Sequence, residues 1–482
     1  MAVTEEVERQ VPVREGDYGT RVAAVEPGGI EYIPERERHG RPLKLFWTWM
    51  SPNLEFATVF VGVLPTLLFG GSFWTAVGAV LVGSALGSIT HGIMSSMGPR
   101  FGAPQMVISR GAFGYFGNFL PGGLNAVTAG IGWFAVNSVS GALALSVLPK
   151  LLGWPSLDPV IALVVIAVAQ ILIALIGHNM VHQFERYAFP FLAVVFALAA
   201  GVILAKTNTN IGFNTKAPVA FGGESGAFII GAMAAFGYAI GWNPFASDYS
   251  RYLPKSSNPW KVGLAAGLGV FISCAVLEVA GAGLATFASS KGLFANPTAQ
   301  FVDPLPKVLA VLTTLAIALG AVAANVLNIY SSAMSFLTLG IRLGIKQRRA
   351  IVAGVAGVAG FGFAVLALLN NLAETYTNFL LLIAYWITPY LAVVLTDYWL
   401  RHGEYDETRF FDTNHRPVRG AVAMLAGIAA SVPFWNQTLY VGWVPFHYPQ
   451  LGDLSFIVGF IVAAVVYLVL YRLAGRRTAI AR

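Results

Sequence analysis

Apolar runs of about twenty residues, long enough to cross a bilayer, recur through most of this chain. They fall at roughly 47–70, 72–97, 119–148, 159–177, 187–205, 226–246, 262–289, 306–338, 349–369, 376–399, 418–436 and 453–474. The pattern predicts an all-α integral membrane protein with twelve transmembrane helices, numbered here as segments 1 to 12. The predicted transporter domain spans 45–474, with a polar tail over 1–44 and a short basic tail over 475–482. Glu5, Glu6 and Glu8 open the first tail with no apolar stretch behind them, which argues for a cytoplasmic tail and against a cleaved signal peptide. Pro27, Gly28, Gly29 and Pro34 work against a stable helix there, so the tail is expected to be partly disordered.

Segment 6 departs from a plain spanning helix over Phe236-Gly-Tyr-Ala-Ile-Gly-Trp-Asn-Pro-Phe245. Pro244 has no N–H and clashes with the carbonyl four residues back, which frees the Ile240 carbonyl. The residue before a proline is pushed out of the α region, so Asn243 is the expected break point. Segment 1 contains Gly62-Val-Leu-Pro65, where Pro65 frees the Val61 carbonyl in the same way. A pair of Gly/Pro-interrupted helices at matching places in two halves points to an inverted-repeat transporter with its site at the midplane. Non-helical backbone in lipid survives only against protein or a polar cavity.

Composition sharpens this picture. The chain of 482 residues is 56% hydrophobic and 11% charged, against about 25% charged in an ordinary soluble chain. Its net charge of +7 could suggest nucleic acid. With the N-terminus inside, however, twenty-five of the thirty Lys and Arg fall on inner segments. That asymmetry is an insertion signal; it places both termini in the cytoplasm and favours anionic inner-leaflet lipid. The single cysteine, Cys274, can form no intrachain disulfide. His178 and His182 are spaced i,i+4 but fall in a predicted polar connector, so no metal site is expected. The Gly98–Gly114 connector reads as a structured loop without chemistry.

Polar residues inside the spans carry the candidate chemistry. Trp133 and Asn137 in segment 3 are i,i+4 and share a face; Asn325 and Asn328 in segment 8 are i,i+3 and do the same. Buried amides in a membrane are interhelical glue or ligand contacts, and three asparagines with Trp133 and Trp242 favour a common cavity. Glu55 in segment 1 and Glu278 in segment 7 are intramembrane carboxyls, functional by default, and here proton-coupling candidates. Asp248 with Arg251, and Asp397 with Arg401, read as ion pairs or gate elements. Aromatic faces stack on flat rings, worth about 1–3 kcal/mol per base, and carboxamides offer adjacent donors and acceptors. A cavity without Arg or Lys argues against a carboxylate or phosphate and for a flat, neutral heterocycle.

These motifs resemble the nucleobase:cation symporter family, in its purine/cytosine permease branch. The resemblance runs over nearly the whole chain after residue 25. It rests on Val25-Glu-Pro-Gly-Gly-Ile-Glu-Tyr-Ile-Pro with Glu35-Arg36, Trp49-Met-Ser-Pro-Asn53, Ser109-Arg-Gly-Ala-Phe-Gly114, Gly132-Trp-Phe-Ala-Val-Asn137, Gly241-Trp242, Asp248-Tyr-Ser-Arg-Tyr252 and Asn325-Val-Leu-Asn328. It implies a five-plus-five inverted repeat with helices 1 and 6 unwound, followed by two C-terminal helices. It implies a base sandwiched between Trp133 and Trp242, with polar contacts from Asn137, Asn325 and Asn328. Val326-Leu327 stands where fungal members often carry a proline. Sodium-coupled relatives place a hydroxyl pair where this chain has Val322 and Ala323. The resemblance therefore implies secondary active import of cytosine or purines across the plasma (inner) membrane, coupled to protons through Glu55 or Glu278, with no other cofactor. A hydantoin, allantoin or vitamin symporter, sodium-coupled or not, is the runner-up. A membrane-embedded enzyme would need a nucleophile–base pair or metal cluster in the spans, and a channel a continuous polar pore; the sequence offers neither.

Overall fold

A computed structural model describes residues 11–14, 29–174, 178–219, 222–341, 347 and 354–480. The apolar segments become helices labelled α1 (Phe56–Leu67), α2 (Phe73–Ser95), α3 (Phe119–Leu151), α4 (Pro159–Ala174), α5 (His178–Lys206), α6 (Gly223–Ile240), α7 (Pro259–Leu284), α8 (Lys307–Leu337), α9 (Gly357–Leu369), α10 (Leu372–Leu400), α11 (Arg419–Ser431) and α12 (Ser455–Ile480). Among the described residues, eight helices are long and apolar enough to cross a membrane. The regions of α1, α4, α9 and α11 hold shorter apolar helices. Local signals set several helix starts: Ser72 caps α2 by accepting from the Thr75 N–H, and Asn258 caps α7 ahead of Pro259 at its first turn. Asn371 caps α10 in the same way. α5 begins at His178, so His178 and His182 sit on a helix and not in a connector; their side chains lie outside the described residues.

Helix pairing explains the architecture. α1, α2, α6 and α7 pack together, as do α3, α4, α8 and α9. Advancing every helix number by five maps much of this pairing onto itself. The α2–α6 contact becomes α7–α1, and α4–α8 becomes α9–α3, while α1–α6, α2–α7 and α3–α8 map onto themselves. This self-mapping is what a chain built from two five-helix repeats produces. α11 and α12 pack on each other and on α10, outside the repeats.

Part of the expected polar tail belongs to this body. Arg251 Nη1 donates to the Gly29 carbonyl at 2.9 Å, Arg38 Nη1 to the Pro99 carbonyl at 2.7 Å, and the His39 N–H to the Tyr252 carbonyl at 2.6 Å. The Gly98–Gly114 connector forms three short buried helices, Met97–Phe101, Gln105–Ile108 and Arg110–Phe113. Asp248 Oδ1 accepts from the Gln105 N–H at 2.9 Å, so this connector is tied to the end of segment 6. Arg401 pairs with Asp397 at 2.8 Å, as their spacing predicts.

Both helix interruptions exist, but one lies elsewhere than expected. Pro65 sits inside α1, close to its end. Pro65 leaves the Val61 carbonyl without its helical donor, while the Leu64 and Pro65 carbonyls still accept from the Leu68 and Gly71 N–H groups, so the helix continues past the proline. The real break in segment 1 lies some ten residues earlier. A helix over Leu43–Met50 tightens into a 3-10 turn, Ser51–Asn53, and the chain then leaves helical geometry at Leu54 (φ −80°, ψ 67°) and Glu55 (φ −145°, ψ 170°). In segment 6, α6 ends at Ile240 and Asn243–Phe245 forms a 3-10 turn before a short helix, Ala246–Ser250. Trp242, between the two, keeps helical angles (φ −81°, ψ −16°). Pro244 therefore narrows the helix here without extending it.

Candidate functional site

The two breaks meet at the Asn53–Trp242 hydrogen bond, and the expected site residues other than Glu278 gather near them. Tyr238 lies in the last turn of α6. Its hydroxyl donates to Glu55 Oε1 at 3.2 Å and shares a 2.6 Å hydrogen bond with the Thr58 hydroxyl. Glu55 heads α1, where the preceding break turns its side chain toward the Asn137 amide of α3.

The orientation of the Asn137 amide decides its partners, and only the one that aims nitrogen at Glu55 bridges that carboxyl to α8. With nitrogen toward α8, Nδ2 donates to Asn325 Oδ1 at 3.0 Å. Turned over, it donates to the Glu55 oxygens at 3.1 and 3.2 Å and accepts from Asn328 Nδ2 at 3.2 Å. Asn325 Nδ2 donates to the Phe134 carbonyl at 2.9 Å and to Ser138 at 3.2 Å. Asn328 Nδ2 donates to Asn325 Oδ1 at 3.3 Å. Ser138 in turn donates to Gln170 on α4, whose Nε2 donates to the Ala321 carbonyl. One hydrogen-bonded cluster thus links α1, α3, α4, α6 and α8, and all of its members are buried. No Lys or Arg is among these hydrogen-bond partners.

The two tryptophans flank the cluster. Trp133 ends a π-helical turn, Thr128–Trp133, inside α3. Such turns are rare and cluster at functional sites. Its ring meets Tyr238 edge-on at 5.4 Å and Phe379 of α10 at 5.0 Å. It also lies against the α6 break: a Cβ added to Gly241 would stand 2.8 Å from Trp133 Cζ2, so only glycine lets the two approach this closely. Trp242, the next residue, turns toward segment 1. Its indole packs against Trp49 and Phe245, and its Nε1 donates to Asn53 Oδ1 at 2.8 Å. α8 reaches the α1 break at Gly320, where a Cβ would lie 2.4 Å from the Leu54 carbonyl.

The structure separates the two intramembrane carboxyls. Glu55 belongs to the amide cluster. Glu278, on α7, accepts from the Ser84 hydroxyl of α2, and its hydrogen bond lies outside the cluster. Val322 and Ala323 are buried on α8 and offer no side-chain oxygen. Among the described residues, no group of three or more His, Cys, Asp and Glu forms a metal site.

Several cluster members escape a sequence reading. Asn53, Thr58, Ser138, Gln170 and Tyr238 are ordinary helix residues by spacing; only tertiary packing gives them partners in the cluster. The α3 π-turn has at most the signal of Gly130 and Gly132 within one turn.

A cleft of about 560 Å³ opens beyond the site. It is lined by the end of segment 1 (Leu68, Phe69), the start of α6 (Gly226, Ile230), the start of α10 (Glu374, Asn378) and the α11–α12 connector. Asn378 Oδ1 accepts from the Thr438 N–H of that connector at 3.1 Å, while its neighbour Phe379 meets Trp133. One turn of α10 therefore stands between cleft and tryptophan.

Known proteins share both the sequence and the fold. The chain is 30% identical to a putative purine-cytosine permease, YxlA, of Bacillus subtilis, over 93% of this chain and 96% of that protein. It is 26% identical to the purine-cytosine permease fcyB of Emericella nidulans, over 92% and 88%. Among solved structures, Mhp1, a nucleobase-cation-symport-1 family transporter, in a closed conformation with bromovinylhydantoin bound, superposes with a TM-score of 0.70 at 19% identity, over 92% of this chain and 94% of Mhp1. Its inward-facing form also gives 0.70, at 18% identity and 96% coverage of both chains. The family model of permeases for cytosine/purines, uracil, thiamine and allantoin matches residues 32–459. The chain is a multi-pass membrane transporter, not an enzyme, and it belongs to this permease family.

Proposed function

We propose that the protein imports a nucleobase, cytosine or a purine, by proton symport through alternating access. The observation that carries this reading is the placement of Glu55 within hydrogen-bond reach of Asn137, in a cluster shared with Asn325 and Asn328 and flanked by Trp133 and Trp242. The tryptophans supply stacking faces and the asparagines a donor–acceptor edge. Purine-cytosine permeases among the relatives support the substrate class.

Glu55 ties substrate to proton. A carboxylate only accepts hydrogen bonds, whereas a protonated carboxyl presents one donor beside one acceptor. Cytosine and adenine each carry a ring-nitrogen acceptor next to an amino donor, so the protonated form matches that edge and the ionised form does not. Without substrate, the Tyr238 hydroxyl and the Asn137 amide stand ready to donate to the Glu55 oxygens. Glu278 is the second carboxyl, and its position between α2 and α7 suits it to a structural role or to a later step in proton release. Val322 and Ala323 favour protons over sodium.

The membrane is the plasma (inner) membrane, with both termini cytoplasmic, as the Lys and Arg distribution directs. The cleft beneath the α11–α12 connector then faces outward and receives the base, and movement of the first turns of α10 admits it to Trp133. Purified protein in liposomes tests the reading: labelled cytosine should accumulate when an inward proton gradient is imposed without sodium, and a protonophore should abolish accumulation. Uptake that requires sodium and ignores the protonophore would refute proton coupling.

A further inference from the structure

We propose that Asn53 is a positioning residue that fixes the Trp242 ring and joins the two helix breaks into one unit. The inference rests on the reading of Trp242 as a stacking face for the substrate. Asn53 closes the 3-10 turn of segment 1 and is fully buried. Its Oδ1 accepts from the Trp242 indole at 2.8 Å and its Nδ2 donates to the Trp49 carbonyl at 2.7 Å. An indole N–H can only donate and a carbonyl can only accept. The amide is therefore held in one orientation, and both of its ends are engaged.

Trp242 needs such a restraint. It lies between the end of α6 and a 3-10 turn, where a continuous helical ladder no longer fixes the surrounding backbone. A stacking face that must first be ordered by its ligand weakens binding by the freedom lost. The 189-residue link from Asn53 to Trp242 removes that freedom before the base arrives.

The same residue reaches the carboxyl. The Asn53 carbonyl accepts from the Thr58 hydroxyl at 2.7 Å, Thr58 shares a hydrogen bond with Tyr238, and Tyr238 donates to Glu55. Trp242 is thus tied to the Asn53 side chain, and the Asn53 main-chain carbonyl is tied through Thr58 and Tyr238 to Glu55. A movement of the α6 break that tilts Trp242 pulls on the α1 break, two residues before Glu55. Asn53 carries information between the stacking face and the protonation site while touching neither base nor proton.

The test uses full-length protein in detergent and four substitutions: Asn53→Leu, Asn53→Asp, Trp242→Phe, and Asn53→Leu combined with Trp242→Phe. Leucine keeps the shape of asparagine without its polar atoms; a protonated aspartic acid keeps both bonds. The first readout needs no substrate: tryptophan emission and near-ultraviolet circular dichroism. Asn53→Leu should shift both in the wild-type background and leave them unchanged in the Trp242→Phe background. The second readout is cytosine binding. Asn53→Leu should weaken it roughly tenfold, the size expected for losing one buried hydrogen bond. Asn53→Asp should restore it to within about threefold, and the double variant should bind no more weakly than Trp242→Phe alone. Asn53→Leu should also flatten the pH dependence of binding, which a purely structural defect would only scale. Equal spectral shifts in both backgrounds, or additive losses, would overturn the inference. Wild-type protein that binds no nucleobase, yet shows the spectral coupling, would refute the substrate reading and leave the Asn53–Trp242 link standing.

Discussion

The two helix breaks perform the same topological task by different means. In segment 6 the chain passes from α6 into a 3-10 turn, with Trp242 still at helical angles (φ −81°, ψ −16°). In segment 1 the chain leaves the helix altogether, with Glu55 extended (φ −145°, ψ 170°). A narrowed helix keeps its side chains in near-helical directions, so the α6 break presents a ring, held against α1. An extended residue re-aims its side chain, so the α1 break delivers a carboxyl to α3 and α8. On this account one break supplies apolar recognition and the other supplies polar recognition with proton coupling. The conspicuous prolines track this difference poorly: Pro244 lies in its break, while Pro65 lies well beyond the break of its own segment.

Substitutions break or sharpen this comparison. The largest effect belongs to the aromatic side. Trp242→Ala removes a stacking face worth about 1–3 kcal/mol and leaves Asn53 Oδ1 without its donor. Cytosine binding should fall below detection in equilibrium dialysis while membrane insertion stays normal. Wild-type affinity would remove Trp242 from the site.

Glu55→Gln comes next and separates the roles of the breaks. Glutamine always presents a donor beside an acceptor, as only the protonated acid does. Binding should persist and lose its pH dependence, whereas wild-type affinity should weaken as pH rises and Glu55 ionises. Concentrative uptake should disappear. Glu278→Gln, outside the cluster, should retain pH-dependent binding; a pH-independent Glu278→Gln protein would reverse the assignment.

Asn325→Ala should follow, with binding weakened by about 1–3 kcal/mol, because Asn328 and Ser138 each lose a buried partner. The smallest effects belong to the prolines. Pro244→Ala should allow α6 to continue further toward Ala246, moving Trp242 and slowing transport severalfold. Pro65→Ala should leave uptake within about twofold, since Pro65 sits in a helix that already accommodates it. A Pro65→Ala defect as large as that of Pro244→Ala would restore Pro65 as the functional break.

Much of this was legible in the sequence, for identifiable reasons. Hydrophobic length predicted the helices, since lipid requires a paired backbone and leaves few alternatives. Spacing placed Trp133 with Asn137 and Asn325 with Asn328 on shared faces, and the folded chain joins those faces through Asn137, which bonds Asn325 in one amide orientation and Asn328 in the other. Segment 6 announced its interruption because glycine, tryptophan and proline stand together where lipid-facing residues would otherwise recur. Segment 1 misled because its proline is more visible than its break: Leu54 and Glu55 take non-helical angles where they lie close against Gly320 of α8, a contact that local sequence does not encode. Asn53, Tyr238 and Thr58 stayed hidden for the same reason, as their partners lie about 180 to 190 residues away. Within the expected 1–44 tail, Gly29 to His39 are held by Arg251, Pro99 and Tyr252, again partners far away in the sequence.

The most direct measurement compares wild-type and Glu55→Gln protein in liposomes, each assayed for cytosine accumulation down a proton gradient and for exchange of internal against external cytosine. If the α1 break carries the proton, wild type accumulates and exchanges, while Glu55→Gln exchanges at a comparable rate and accumulates nothing. Proton-driven accumulation by Glu55→Gln, equal to that of wild type, would contradict the central claim.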